Sequence, residues 1–252
     1  MSRKMNRVGE RFITEEHLGK YEIIIVEYND CKNILVEFQD KHKAIVHTSY
    51  KDCRRGRVKN PYHPSVCGVG YMGVGEYNSN TKAYEEWLAM MKRCYDKKVH
   101  EINPTYSGVV VDEYFHNFQN YCKWREKNYY EVNDEIMCLD KDIRVKGSKI
   151  YSPSTCIFVP QTINNLFVNR KLHRGKELVG VGRVTGSDKY MARCNIRGKN
   201  IYLGVFNTEK EAFDKYKSVK EEYIKQIADE YKDKIPYDLY MALYSWEIEE
   251  GD

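Results

Sequence analysis

The sequence predicts an α+β protein: an N-terminal small β-barrel-like domain, a central helical and strand–turn–strand–helix (ββα) module, and a C-terminal three-stranded sheet packed on one helix. Three observations carry this reading. Short β-branched runs separated by tight polar turns dominate 21–48 and recur at 178–206. Apolar residues at three- and four-residue steps mark helices between and after them. No apolar run approaches the roughly 20 residues that a membrane helix needs. The 252 residues carry 41 Lys and Arg against 37 Asp and Glu, a net of 41 − 37 = +4, too small by itself to argue for a polyanionic partner. With 22 Tyr, 8 Phe and 3 Trp the chain has too much aromatic surface to stay unfolded in water.

The first domain, 1–76, opens on MSRKMNRVGERF, which has no apolar core like that of a secretory signal. YEIIIVEY (21–28), NILVEF (33–38) and KAIVHT (43–48) read as three strands of a small antiparallel sheet or barrel. KDCRRGRVKNP follows, with Lys51, Arg54, Arg55, Arg57 and Lys59 against Asp52; it reads as a solvated loop or as an arm contacting phosphates. Gly68, Gly70, Gly73 and Gly75 make a turn-rich linker. A nucleotide loop is rejected, because no GK[ST] follows and no helix starts directly after the glycines.

The second module, 77–173, begins with a helix capped near 79–81 that bears Tyr84, Trp87, Leu88, Met91 and Tyr95 on one face. A second helix over 114–124 puts Phe115, Phe118 and Cys122 on one face. IMCLDKDI, a turn at Gly147, STCIFV and a helix from Pro160 through QTINNLFVNRK then give strand, turn, strand, helix. The eight cysteines are isolated and form no CxxC pair, so they read as reduced, buried thiols and no zinc is expected.

The third domain, 174–235, holds LVGVGRV, KYMARCNI and NIYLGVF as strands and a long helix capped by Thr208 with Glu211. Between 180 and 206 the basic residues are Arg183, Lys189, Arg193, Arg197 and Lys199, against the single acid Asp188. Strand alternation sends Tyr190, Ala192, Cys194 and Ile196 toward the helix, and Met191, Arg193, Asn195 and Arg197 outward. Such a sheet fits the major groove, where Arg pairs with guanine and Asn with adenine. An acidic helical tail, 236–252, carries Leu239, Leu243 and Trp246.

Residues 178–219 resemble the Apetala2/ethylene-response-factor DNA-binding domain in the form appended to phage nucleases. The residues that carry this are Gly180-Val181, Lys189-Tyr190-Met191-Ala192-Arg193, Tyr202-Leu203-Gly204-Val205-Phe206, Thr208, Glu211-Ala212 and Tyr216. The resemblance implies three strands in the major groove, with Arg183, Arg193, Asn195, Arg197 and Tyr202 at DNA-contacting positions and Lys189 counted with them. Gly182 stands where relatives often have Arg.

Residues 138–165 resemble a ββα-metal (HNH) nuclease core, CLDKDI matching its first element and FVPQTINN its second. The resemblance implies double-stranded DNA as substrate and Mg2+ or Mn2+ as cofactor, held by Asp140 and by Asn164 or Asn165, with Asp142 or Lys141 assisting. Lys141 stands where the family has its general-base histidine, and a lysine is ordinarily protonated at neutral pH. His116 and His173 are the replacement candidates, and neither is assigned the role. Two expectations result: a phage-type DNA endonuclease, or a non-catalytic DNA-binding regulator or host-defence antagonist with a degenerate core. Either would act in the cytoplasm of a phage-infected bacterium and not at a membrane. A third is a protein adaptor using the N-terminal domain and the acidic tail, with a second copy of the chain among its candidate partners.

Overall fold

The computed structural model describes residues 6–168 and 176–251. The chain is mixed α+β and divides into two compact units: 1–128 with 149–154, and 129–148 with 155–252. Among the described residues no helix is long and apolar enough to cross a membrane.

The first unit opens with a four-stranded antiparallel sheet of β1 (Arg11–Ile13), β2 (Glu22–Asp30), β3 (Asn33–Phe38) and β4 (Ile45–Thr48). The strands lie in chain order, so the expected sheet or barrel is an open meander. Ile23, Ile25, Ile34, Val36 and Phe38 are completely buried, as period-2 alternation requires. A short helix, α1 (Tyr50–Arg54), follows, with the Ser49 hydroxyl accepting the Asp52 N–H.

Helix α2 (Lys82–Tyr95) starts where expected: the Thr81 hydroxyl accepts the Tyr84 N–H and caps it. It packs Trp87, Met90 and Met91 into the interior, and Trp87 Nε1 donates to the Phe115 carbonyl at 2.6 Å. A third helix, α3, spans Lys97–Ile102, and β5 (Val110–Val111) precedes the next helical stretch. The helix expected over 114–124 is two, α4 (Glu113–His116) and α5 (Phe118–Asn128). The break has a cause. Asn117 leaves helical geometry and its side chain accepts the Gln119 N–H, while Tyr71 pairs with the chain on either side of it. The Arg125 guanidinium grips Glu86 at 2.6 and 3.1 Å and ties α5 to α2.

The glycine run is no loose linker. A Cβ at Gly73 would lie 2.2 Å from the Asn117 side chain, and one at Gly75 would lie 2.2 Å from that of Gln119. Buried Gln119 donates to the Met72 and Tyr77 carbonyls and accepts from the Tyr77 N–H. At Gly73 and Gly75 the run is a seam with no room for a side chain.

In the second unit β6 (Met137–Asp140) pairs antiparallel with β8 (Ile157–Pro160), and α6 (Gln161–Asn164) follows. Between them β7 (Ile150–Tyr151) pairs in parallel with β5 and belongs to the first unit. The helix read from Pro160 onward is one turn among the described residues; 169–171 and His173 lie outside them. Strands β9 (Val181–Arg183), β10 (Tyr190–Ile196) and β11 (Lys199–Phe206) form an antiparallel sheet with β10 in the centre. Helix α7 (Glu209–Tyr231) carries the expected capping box of Thr208 and Glu211, and α8 (Tyr237–Tyr244) follows it.

One core serves this whole unit. Val159 and Ile163 of the strand–turn–strand–helix segment, Ala192 and Cys194 of β10, Phe213, Ile224 and Ile227 of α7, and Leu239 and Leu243 of α8 share it. The tail is therefore docked, not a free acidic segment. Three of its carboxylates are paired with cations elsewhere in the chain: Asp238 with Arg144, Glu249 with Lys146, and Glu250 with Lys210.

Cys31 is exposed and Cys67 and Cys138 are half-buried, so the expectation of uniformly buried cysteines holds for the other five.

Candidate nucleic-acid interface

The geometry of the C-terminal sheet begins with one glycine. Gly180 has φ +77°, and a Cβ there would sit 2.1 Å from the Tyr216 ring, so the entry into β9 lies directly on α7. From that contact the sheet runs with one side against the helix and the other open. Ala192 and Cys194 are buried on the helix side, and burial pushes the Cys194 thiol up. Arg193 and Asn195 are exposed on the outer side, as alternation requires.

The register then places their neighbours. Arg193 is opposite Tyr202, Asn195 is opposite Asn200, and Met191 is opposite Val205. Directly opposed residues share a face. Tyr202 reaches the outer face only because of a bulge. Phe206 and Gly204 pair with Tyr190 and Ala192, so an unbroken strand would turn Tyr202 inward with them. The irregularity at Ala192/Arg193 inserts Leu203, Gly204 takes φ +130°, and the parity flips. Tyr202 is 59% exposed as a result. Among the described residues the side chains of Arg193, Asn195 and Tyr202 make no hydrogen bond or ion pair. Their polar groups face water in a fixed array of guanidinium, amide and phenol.

Two residues assigned to this face are elsewhere. Arg197 does not continue the alternation. It occupies a two-residue turn with Gly198, both at positive φ (50° and 77°), and so leaves the pleat that orients Arg193. Its backbone N–H donates to the Tyr223 hydroxyl at 3.0 Å and its guanidinium pairs with Glu230 of α7. Arg183 is opposite Tyr190, a helix-side residue, and its guanidinium lies 5.6 Å from that ring. Its neighbour on the outer face is Gly182, above which a Cβ would meet nothing within 4 Å. Lys189 is exposed in the turn before β10. Sequence reasoning missed Asn200 and Val205. Only the register reveals them, since neither is charged or aromatic.

The strand–turn–strand–helix segment is built the opposite way. Asp140 ends β6, and its Oδ1 accepts the N–H groups of Asp142 and Ile143, each at 2.7 Å, which turns the chain. Burial raises its carboxyl above the usual carboxylate range despite those donors. Lys141 is buried, 6% exposed, and its ammonium donates to both Asp142 oxygens at 2.7 Å and to the Ser148 carbonyl at 2.6 Å. An ammonium has three donors, and these contacts use them. Asn165 accepts from the Gln161 amide at 2.8 Å, and Gln161 Oε1 in turn lies 3.1 Å from Cys138 Sγ. Asn164 is half-buried at the end of α6. His116 sits in the first unit with Nε2 at 2.9 Å from the Val111 carbonyl.

What this cluster can do chemically follows from its bonds. Asp142 is held by Lys141, Asp140 Oδ1 by backbone donors, and Asn165 by Gln161. Among the described residues no group of three or more His, Cys, Asp or Glu side chains is placed to hold a metal ion. A hard cation wants several oxygens free to converge, and of those assigned to it Asp140 Oδ1 and Asn165 already accept protein donors. The arrangement closes a turn.

Comparison with protein-family models, with curated proteins and with solved structures finds no match to this chain.

Proposed function

We propose that this chain is a duplex-DNA-binding protein that presents the outer face of its C-terminal sheet to the major groove. One observation carries the reading: Arg193, Asn195 and Tyr202 share a face, are exposed, and find no partner among the described residues. A guanidinium and an amide held by a sheet backed by a helix are matched to base edges, Arg to the O6 and N7 of guanine and Asn to the N6 and N7 of adenine. Val205 and Met191 add apolar surface of the kind that meets a thymine methyl. Lys189 contributes charge at the rim. Arg183 and Arg197, paired toward the helix side, have smaller roles in this account. The expected outcome is that Arg193→Ala weakens binding to the preferred duplex by about 1–3 kcal/mol and relaxes preference at one base position. Unchanged affinity and preference would remove the sheet from the reading.

A second reading, a divalent-metal-dependent DNA endonuclease, is favoured by the antiparallel pairing of β6 with β8 followed by α6, the layout of a ββα-metal core. In it Asp140 and Asn164 would hold Mg2+ or Mn2+ beside a scissile phosphate, and the ion would supply Lewis-acid stabilisation. The bonding of Lys141 and Asp142 speaks for the non-catalytic form, because the ammonium and the carboxylate are engaged with each other and the ammonium also with the Ser148 carbonyl. Supercoiled plasmid incubated with Mg2+ or Mn2+ separates the two. The non-catalytic reading expects no nicks beyond those of an Asp140→Ala control, and nicking by the wild-type chain alone would restore the enzyme.

A further inference from the structure

We infer that the first unit carries a second DNA contact, a phosphate-binding ribbon along residues 51–59 that adds affinity without reading sequence. It goes beyond the sheet reading but rests on the same partner.

Lys51, Arg54, Arg55, Arg57 and Lys59 are all exposed. Among the described residues none of their side chains makes an ion pair or a hydrogen bond. The nearby carboxylates are engaged elsewhere, Asp52 with the Ser49 hydroxyl at 2.6 Å and Glu15 with His17 at 3.3 Å. The backbone that presents these cations is fixed. Gly56 is buried, with φ +64°, and a Cβ on it would lie 2.9 Å from both the Glu15 nitrogen and the Ile13 oxygen. The Arg57 N–H bonds the Asp52 carbonyl, and the Gly56 carbonyl accepts the Glu15 N–H, each at 2.9 Å.

Exposure then alternates. Arg55, Arg57 and Lys59 face water while Gly56, Val58 and Asn60 are buried, and Asn60 donates to Asp40 at 2.7 Å. From 55 to 60 the charged residues face water and the residues between them are buried, which is the pattern of a docked strip and not of a loop solvated on all sides.

The chemistry of the strip selects its ligand. Between 51 and 59 it exposes no amide or aromatic side chain; its exposed side chains are all cations, which phosphates attract whatever the base sequence. Its apolar members, Cys53 and Val58, are buried, so it has nothing to insert into a lipid surface. What remains is a row of cations on a rigid backbone, suited to a regular line of phosphates.

The test uses the full chain and fluorescently labelled duplexes titrated between low and moderate salt. Arg55→Ala/Arg57→Ala/Lys59→Ala is expected to weaken binding to every duplex alike and to flatten the log–log salt slope by about 0.9 per lost contact. Arg55→Lys/Arg57→Lys should keep the wild-type slope, because counterion release counts charge and not guanidinium shape. Gln at the same three positions keeps the aliphatic stems and should behave as Ala does. A wild-type slope in the triple variant while Arg193→Ala weakens binding overturns the ribbon and leaves the sheet reading standing. A flattened slope with Arg193→Ala unchanged keeps the ribbon and overturns the sheet. If the triple variant loses binding to anionic vesicles or to an acidic protein while its DNA slope stays at the wild-type value, the partner assigned here is wrong. A wild-type chain with no salt-dependent DNA binding overturns both.

Discussion

The outer face of the C-terminal sheet and the turn after β6 are both built from polar side chains and use them in opposite ways. On the sheet, Arg193, Asn195 and Tyr202 stand in water with no partner among the described residues. After β6, Asp140, Lys141 and Asp142 are bonded to one another's backbone or side chains and to Ser148. Polar groups bonded only to water can exchange it for a ligand, whereas polar groups that satisfy each other serve the fold. The contrast favours the sheet over the charged turn as the surface for the proposed DNA contact, with the turn stabilising its own unit.

The largest way to break that contrast is at its base. Gly180→Ala drives a methyl group into the Tyr216 ring at a positive φ. We expect a loss of about 3 kcal/mol or more, the upper range for a strained, overpacked site, seen as a fall in the denaturation midpoint together with lost DNA binding. A folded, binding-competent variant would show that β9 is not seated on α7 as described.

Next comes the turn. Lys141→Met removes the cation from Asp142 and from the Ser148 carbonyl. A fully buried pair broken this way costs about 3–5 kcal/mol, but Asp142 is 46% exposed, so about 1–2 kcal/mol is expected from urea unfolding. DNA affinity should not change. A variant with normal stability but impaired DNA affinity or nicking would move the turn from scaffold to site.

Asp140 offers a pH test of the same region. Its folded carboxyl titrates above the unfolded one, so the native state binds the extra proton. Its contribution to stability is therefore present below the unfolded value and is lost as pH rises through the folded value. Relative to Asp140→Asn, the wild-type chain should gain in melting temperature as pH falls from neutral toward the ordinary carboxylate range. A constant difference would mean that the carboxyl is not perturbed.

The smallest effect belongs to Arg197. Its pair with Glu230 is exposed on both sides, and such pairs contribute about 0–1 kcal/mol. Arg197→Ala should leave both stability and DNA preference close to wild type. An effect on DNA as large as that of Arg193→Ala would return Arg197 to the reading face.

How much of this was legible in the sequence depended on whether the signal was local. The alternation of Met191-Ala192-Arg193-Cys194-Asn195 gave the faces of β10 directly, and the Thr208/Glu211 box gave the start of α7. Arg197 was misplaced because an Arg-Gly pair entering a two-residue turn looks, in sequence, like one more step of the strand. The outward turn of Tyr202 rests on a bulge, and no residue pattern in NIYLGVF fixes the strand register. The split at Asn117 and the seam at Gly73 and Gly75 come from a chain segment roughly 45 residues away pressing on α5, which a periodicity over 114–124 cannot contain. For the β6 turn, the sequence offered acids in a recognisable arrangement. Which atoms they bond, and so whether they are free to act, is a tertiary fact. The tail shows its apolar pattern at Leu239 and Leu243, but the partners of its acids, Arg144, Lys146 and Lys210, are distant in the chain and not legible in sequence.

The most direct measurement is a fluorescence-anisotropy titration of the full chain against a panel of duplexes at fixed salt, wild type beside Arg193→Ala and Asn195→Ala. The account predicts that each substitution weakens the preferred duplex far more than the others, so that the panel's ranking collapses. A ranking that survives both substitutions would contradict it.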